Sequence, residues 1–126
     1  MQGTKDVALV TGSSSGIGFE TALLLARSGF HTYASMRNLE KSKNMTEIAN
    51  TEKLPLQVIQ LDVNDDKSVK DAIDKIVAEN RRIDVLVNNA GYGLFSPIEV
   101  GFKLVLNLIK SHIFDRREQP ITSVVY

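Results

Sequence analysis

The stretch TGSSSGIG, from Thr11 to Gly18, places three glycines and three serines directly after the apolar run VALV and directly before a helically patterned segment. It carries no charge, yet its chemistry is that of an anion receptor. Gly12 permits a tight turn, Gly16 lets the backbone come close to a diphosphate, and Gly18 lets the new helix pack against its strand. Amides in the first turn of that helix have no partner within it and lie at the positive end of its dipole. Ser14 and Ser15 add short hydroxyl donors, and Ile17 belongs to the same turn. Glycine-rich turns also occur in loops that bind nothing. Position favours binding here, because this one follows a strand, opens a helix and lies in the first βαβ unit.

Three later segments complete a dinucleotide site. The second apolar run ends YASMRN, with Arg37 where a carboxylate would suit free ribose hydroxyls. A guanidinium there can grip a 2′-phosphate with two donors and stack on adenine, which favours NADP, with NAD as the alternative. The competing reading is a solvated arginine after a strand. LDV then brings Asp62 to accept from the adenine amino group and Val63 to pack on the ring. NNAG, at 88–91, faces the glycine loop across the switch point of the sheet. Asn88 can tie strands together, Asn89 joins the cofactor-facing set, and Ala90 and Gly91 are small enough for the nicotinamide ribose to lie close to the backbone.

The elements that must carry these residues follow from periodicity. Strands are expected at 7–11, 31–35, 56–62, 84–89 and 121–126, and helices near 16–28, 39–50, 65–80 and 98–118. The first and fourth runs are apolar nearly throughout, as in strands buried on both faces of a parallel sheet. In the third helix Val69, Ala72, Ile73, Ile76 and Val77 form one stripe, with Asn64 as its expected cap and Asp65 and Asp66 in its first turn. Alternating strands and helices imply right-handed crossovers. The fold class is therefore α/β, a doubly wound parallel sheet of about five strands with helices on both faces.

Composition narrows the function. The 126 residues make one domain, expected to be a single truncated dinucleotide-binding domain over 1–126. Fifteen basic residues balance fifteen acidic ones, so no global field favours nucleic acid or an anionic membrane. There is no cysteine, which removes disulfides and thiolate metal sites and suits a reducing compartment. No metal site is expected, no window is long enough to span a bilayer, and the N-terminus reads as a first strand rather than a leader. A cytoplasmic location is the expectation.

Together these segments resemble the short-chain dehydrogenase/reductase family. TGSSSGIG matches its TGxxxGxG loop, LDV its adenine-pocket strand end and NNAG its fourth strand, in the family's order, over residues 5 to about 97. The resemblance implies a Rossmann-type fold, NADP binding, and hydride transfer between NADP and a carbonyl or alcohol. Beyond Pro97 it weakens. The family's catalytic set is Asn, Ser, Tyr and Lys, the last two spaced Tyr-x-x-x-Lys; tyrosines stand here at 33, 92 and 126, none followed by lysine four places on. KLVLNLIK, at 103–110, looks like the helix bearing the family's asparagine and makes Asn107 its counterpart, whereas Ser123 lies inside a strand and does not inherit the serine role.

Without a tyrosine and lysine to protonate the developing alkoxide, the chain alone is expected to be weak or inactive as an oxidoreductase. The alternative is a non-catalytic nucleotide-binding, regulatory or oligomerisation module. The segment 98–118 is apolar on more than one side, and 121–126 forms an uncovered edge strand. A homo-oligomer formed through either is expected.

Overall fold

The computed structural model describes residues 6–89 and, in the last strand, the backbone of 123–125. The described elements run β1 (Val7–Val10), α1 (Gly16–Arg27), β2 (His31–Met36), a 3₁₀ turn (Leu39–Ser42), α2 (Lys43–Glu52), β3 (Leu56–Gln60), α3 (Asp66–Asn80), β4 (Val85–Val87) and β5 (Ser123–Val125). The five strands are parallel in the order β3-β2-β1-β4-β5. β1 is therefore central, and all four of its residues are buried. The chain runs outward from it in one direction through β2 and β3, then returns to its other side at β4. That reversal is the switch point, and it lies beside the loop after β1.

Strand alternation divides the core into two layers. Val7 and Leu9 of β1, Tyr33 of β2, Ile59 of β3 and Leu86 of β4 face the stripe Val69, Ala72, Ile73, Ile76 and Val77 of α3. Val10, Ala34, Met36 and Val87 point the other way, onto Ala22 and Leu23 of α1 and Met45 of α2. Both faces are thus covered by helices, and the sequence-derived stripe of α3 is buried as expected. On the outside, Arg27 of α1 makes a paired bond to Glu52 of α2 at 2.7–2.8 Å.

The structure corrects some boundaries. The helix expected over 39–50 is a 3₁₀ turn followed by α2, because the Asn38 side chain accepts from Glu40 N and caps the short turn first. The cap of α3 is Asp65, not Asn64: Asp65 Oδ1 accepts from Lys67 N and Ser68 N, while Asn64 N donates backwards to Asp62 Oδ1. β3 and β4 stop at Gln60 and Val87, so Asp62, Val63, Asn88 and Asn89 lie past strand ends. The helix expected over 98–118 lies outside the described residues.

Candidate cofactor site

The carboxyl ends of β1 to β4 meet at one edge of the sheet, and the loop after β1 is fixed there by its buried half. Thr11 and Ser13 are buried, at 1% and 0% exposure. Thr11 N donates to Val87 O at 3.0 Å, and Thr11 Oγ1 accepts from Asn89 N at 2.9 Å and meets Asn88 Oδ1 at 3.2 Å. Ser13 N donates to Ser35 O on β2, and its hydroxyl donates back to Val10 O, both at 2.9 Å. One threonine and one serine therefore fasten the loop to both neighbours of β1. Neither was singled out as a site residue in the sequence. Their signal was position, since each immediately flanks Gly12.

Gly12 turns with φ 64°. Its carbonyl accepts from Asn89 Nδ2 at 3.2 Å, and Gly18 packs against the same atoms. A Cβ on Gly18 would lie 2.1 Å from Gly12 O and 2.7 Å from Asn89 Nδ2. Gly18 therefore seats α1 on the loop and on the strand beyond it, a contact wider than the helix-to-strand packing read from the sequence.

The other half of the loop faces outward. Ser15, Gly16 and Ile17 are exposed, Ile17 at 76%, and Ser14 is half-buried. Gly16 sits at φ +63°, and a Cβ built on it would meet nothing within 4 Å. Ser15 is the N-cap of α1, yet its side chain makes no capping bond, and the first turn has no acidic residue. The leading amides of α1 thus have neither a capping side chain nor a carboxylate in the first turn to satisfy them. Such an uncapped helix start can donate to an anion.

At the next strand ends Arg37 is exposed, and among the described residues no acidic side chain pairs with it. Asp62 is half-buried and Val63 is 5% exposed, an apolar floor beside a carboxylate. Asp62 Oδ1 accepts from Asn64 N at 3.0 Å, which fixes the turn and leaves its other oxygen to face elsewhere. The structure thus brings Gly12, Ser14, Ser15, Gly16, Ile17, Gly18, Arg37, Asp62, Val63 and Asn89 to one edge. Ala90, Gly91 and Asn107 lie outside the described residues.

Two expectations about catalysis meet the structure. Ser123 opens β5 opposite Val85, at the far end of the strand from this edge. Tyr33 lies on the α3 face, where its hydroxyl bonds Glu79 and accepts from Asn80 Nδ2. Burial, reinforced by the Glu79 bond, pushes it up to about 12, the opposite of what a proton donor requires. Tyr33 is a structural tyrosine.

This strand order with a glycine-rich first crossover is a Rossmann-type arrangement. The pattern of the short chain dehydrogenase family matches residues 6–108. The chain belongs to that family. It is 46% identical over 99 residues to 17-beta-hydroxysteroid dehydrogenase type 1 of Mus musculus, covering 74% of this chain and 28% of the relative. With retinol dehydrogenase 8 of Bos taurus it shares 46% over 96 residues, covering 72% and 30%. The chain thus spans less than a third of the length of these relatives. A metagenomic short-chain oxidoreductase solved in complex with NADP superposes with a TM-score of 0.77 at 24% identity, covering 91% of this chain and 58% of the other. A Burkholderia phymatum member solved with NAD gives 0.78 at 18% identity, covering 93% and 47%. Those last two likenesses concern the fold. Among the described residues no helix is long and apolar enough to cross a membrane.

Proposed function

We propose that this chain binds NADP(H) along the carboxyl edge of its sheet and supplies the cofactor-holding part of a carbonyl or alcohol oxidoreductase. The observation that carries the reading is the open N-terminus of α1, with Gly16 at φ +63° before free space and no capping side chain. In this reading the Gly16 and Ile17 amides and the Ser14 and Ser15 hydroxyls hold the diphosphate. Ile17 covers it from the solvent side, and Asn89 braces the loop through Gly12 O. Asp62 accepts from the adenine amino group, with Val63 beneath the ring. Arg37, with no acidic partner among the described residues, takes the 2′-phosphate. When bound, the nicotinamide supplies or accepts a hydride. Ala90 and Gly91 line its ribose, and Asn107 is the proposed counterpart of the family's catalytic asparagine.

Parallel fluorescence titrations with NADPH and NADH test this directly. Tighter binding of NADPH, lost in Arg37→Ala, is the expected result; equal affinity refutes the Arg37 assignment, and no binding refutes the site. Turnover is proposed to be slow for this stretch of chain alone, because positioned acid–base catalysis is worth about 10²–10⁴-fold and no tyrosine–lysine pair of the family spacing is present. Following NADPH absorbance with simple aldehydes, a 17-ketosteroid and retinal, the last two suggested by the relatives' names, measures it.

A second reading, a nucleotide-binding module that self-assembles, has one observation in its favour. β5 ends the sheet, and no described strand pairs with its outer side. Light scattering decides it: a monomer at high concentration removes this reading.

A further inference from the structure

One hydrogen-bond chain at the site edge belongs to no role assigned above. It starts where the β2–β3 ladder ends. Met36 pairs with Gln60, and Leu61 N donates to Met36 O at 3.0 Å as the last backbone bond between the strands. The next carbonyl on the β2 side is that of Arg37. It accepts from a side chain instead, Gln60 Nε2, at 3.3 Å. Gln60 Oε1 in turn accepts from Ser68 Oγ at 2.9 Å, and Ser68 Oγ accepts from Asp62 N at 2.8 Å. Ser68 is buried in the first turn of α3 at 7% exposure.

Proton accounting fixes the direction of this relay. The Asp62 amide can only donate, so Ser68 Oγ receives it and must pass its single proton onward. Gln60 therefore presents its oxygen to Ser68, which turns its nitrogen toward the Arg37 carbonyl. The backbone bearing Arg37 is tied through two side chains to the backbone bearing Asp62. Without the tie, the residue that leaves β2 would follow the exposed 3₁₀ turn, and its guanidinium would lose a fixed origin.

We infer that Gln60 and Ser68 are positioning residues for cofactor choice, holding the Arg37 segment in register with Asp62 so that the guanidinium meets a 2′-phosphate. This rests on the NADP reading of Arg37. The test uses the whole chain and compares NADPH and NADH dissociation constants for the unmodified protein, Gln60→Met, Ser68→Ala, Ser68→Thr and Arg37→Ala. Gln60 is exposed and methionine keeps its unbranched length, so that variant retains the fold.

Gln60→Met is expected to weaken NADPH about three- to tenfold, the worth of one hydrogen bond, with NADH unaffected; Ser68→Ala, which also releases the Asp62 amide, is expected to weaken NADPH more than NADH. Ser68→Thr, which keeps the hydroxyl, restores the NADPH preference. Equal weakening of both cofactors makes the residues merely structural and overturns the inference, as does an NADPH preference undiminished in Gln60→Met. If the unmodified protein shows no preference for NADPH, or keeps one in Arg37→Ala, the Arg37 reading fails and the inference falls with it. A preference lost in Arg37→Ala but undiminished in Gln60→Met sinks the relay alone.

Discussion

Helices α1 and α3 both begin at the carboxyl edge of the same parallel sheet, and their first turns are treated in opposite ways. α3 closes its own start: Asp65 accepts from Lys67 N and Ser68 N, and Asp66 adds a carboxylate at the positive end of the dipole. α1 leaves its start open, with an unbonded Ser15 side chain, no acidic residue and a glycine at positive φ. The sheet supplies the same geometry to both. A helix start is a binding site only where the chain withholds the side chains that would otherwise satisfy it.

The largest effect should come from Gly18→Ala, because its methyl would overlap the Gly12 carbonyl, which is backbone and can give way only if the whole loop moves. A loss of about 2–3 kcal/mol in urea unfolding is expected, with cofactor binding lost as the loop shifts. Gly16→Val separates binding from packing. It has room for a side chain, and its cost in stability is about 1–2 kcal/mol from the left-handed backbone alone, but its branches fill the space proposed for the diphosphate, so NADPH titration should show no binding.

The two helix starts can be interchanged by single substitutions. Ser15→Asp gives α1 the cap that α3 has, and should raise stability by up to about 1 kcal/mol while repelling the diphosphate and weakening NADPH. Asp65→Ala does the reverse at α3. It should cost about 1 kcal/mol in thermal or urea unfolding and leave cofactor binding in place. A Ser15→Asp protein that binds NADPH as well as the unmodified chain would remove the open start of α1 as the phosphate receptor.

The smallest effect concerns the other end of α3. The Tyr33 hydroxyl is protonated in folded and unfolded chains below about pH 10, so its contribution is fully present there. Between pH 10 and about 12 the unfolded chain ionises first and that contribution drains away. Urea unfolding against pH should show this decline in the unmodified protein and a shallower one in Tyr33→Phe.

Much of this was legible along the chain because the signals are local. The βα turn needs its glycines at 12, 16 and 18, a short fixed spacing, and the α3 stripe repeats within a few turns, so both are visible within a dozen residues. Boundaries were less legible where two neighbouring side chains could do one job. Asn64 and Asp65 both suit a cap, and the choice fell to the turn that Asp62 makes with Asn64 N. Gln60 read as an ordinary strand residue, since its partners lie on two other segments.

The alternation of strands and helices, the glycine-rich turn at Thr11–Gly18 and the family could all be read along the chain, because each depends on residue types at short, fixed spacing. Folding was needed to reveal that Thr11 and Ser13 are the loop's fasteners, that Gly18 is packed against Gly12 and Asn89, and that Arg37 and Asp62 are joined through Gln60 and Ser68. Those pairings connect residues as far as 78 positions apart. Distance along the chain says nothing about them until parallel strands place their ends side by side.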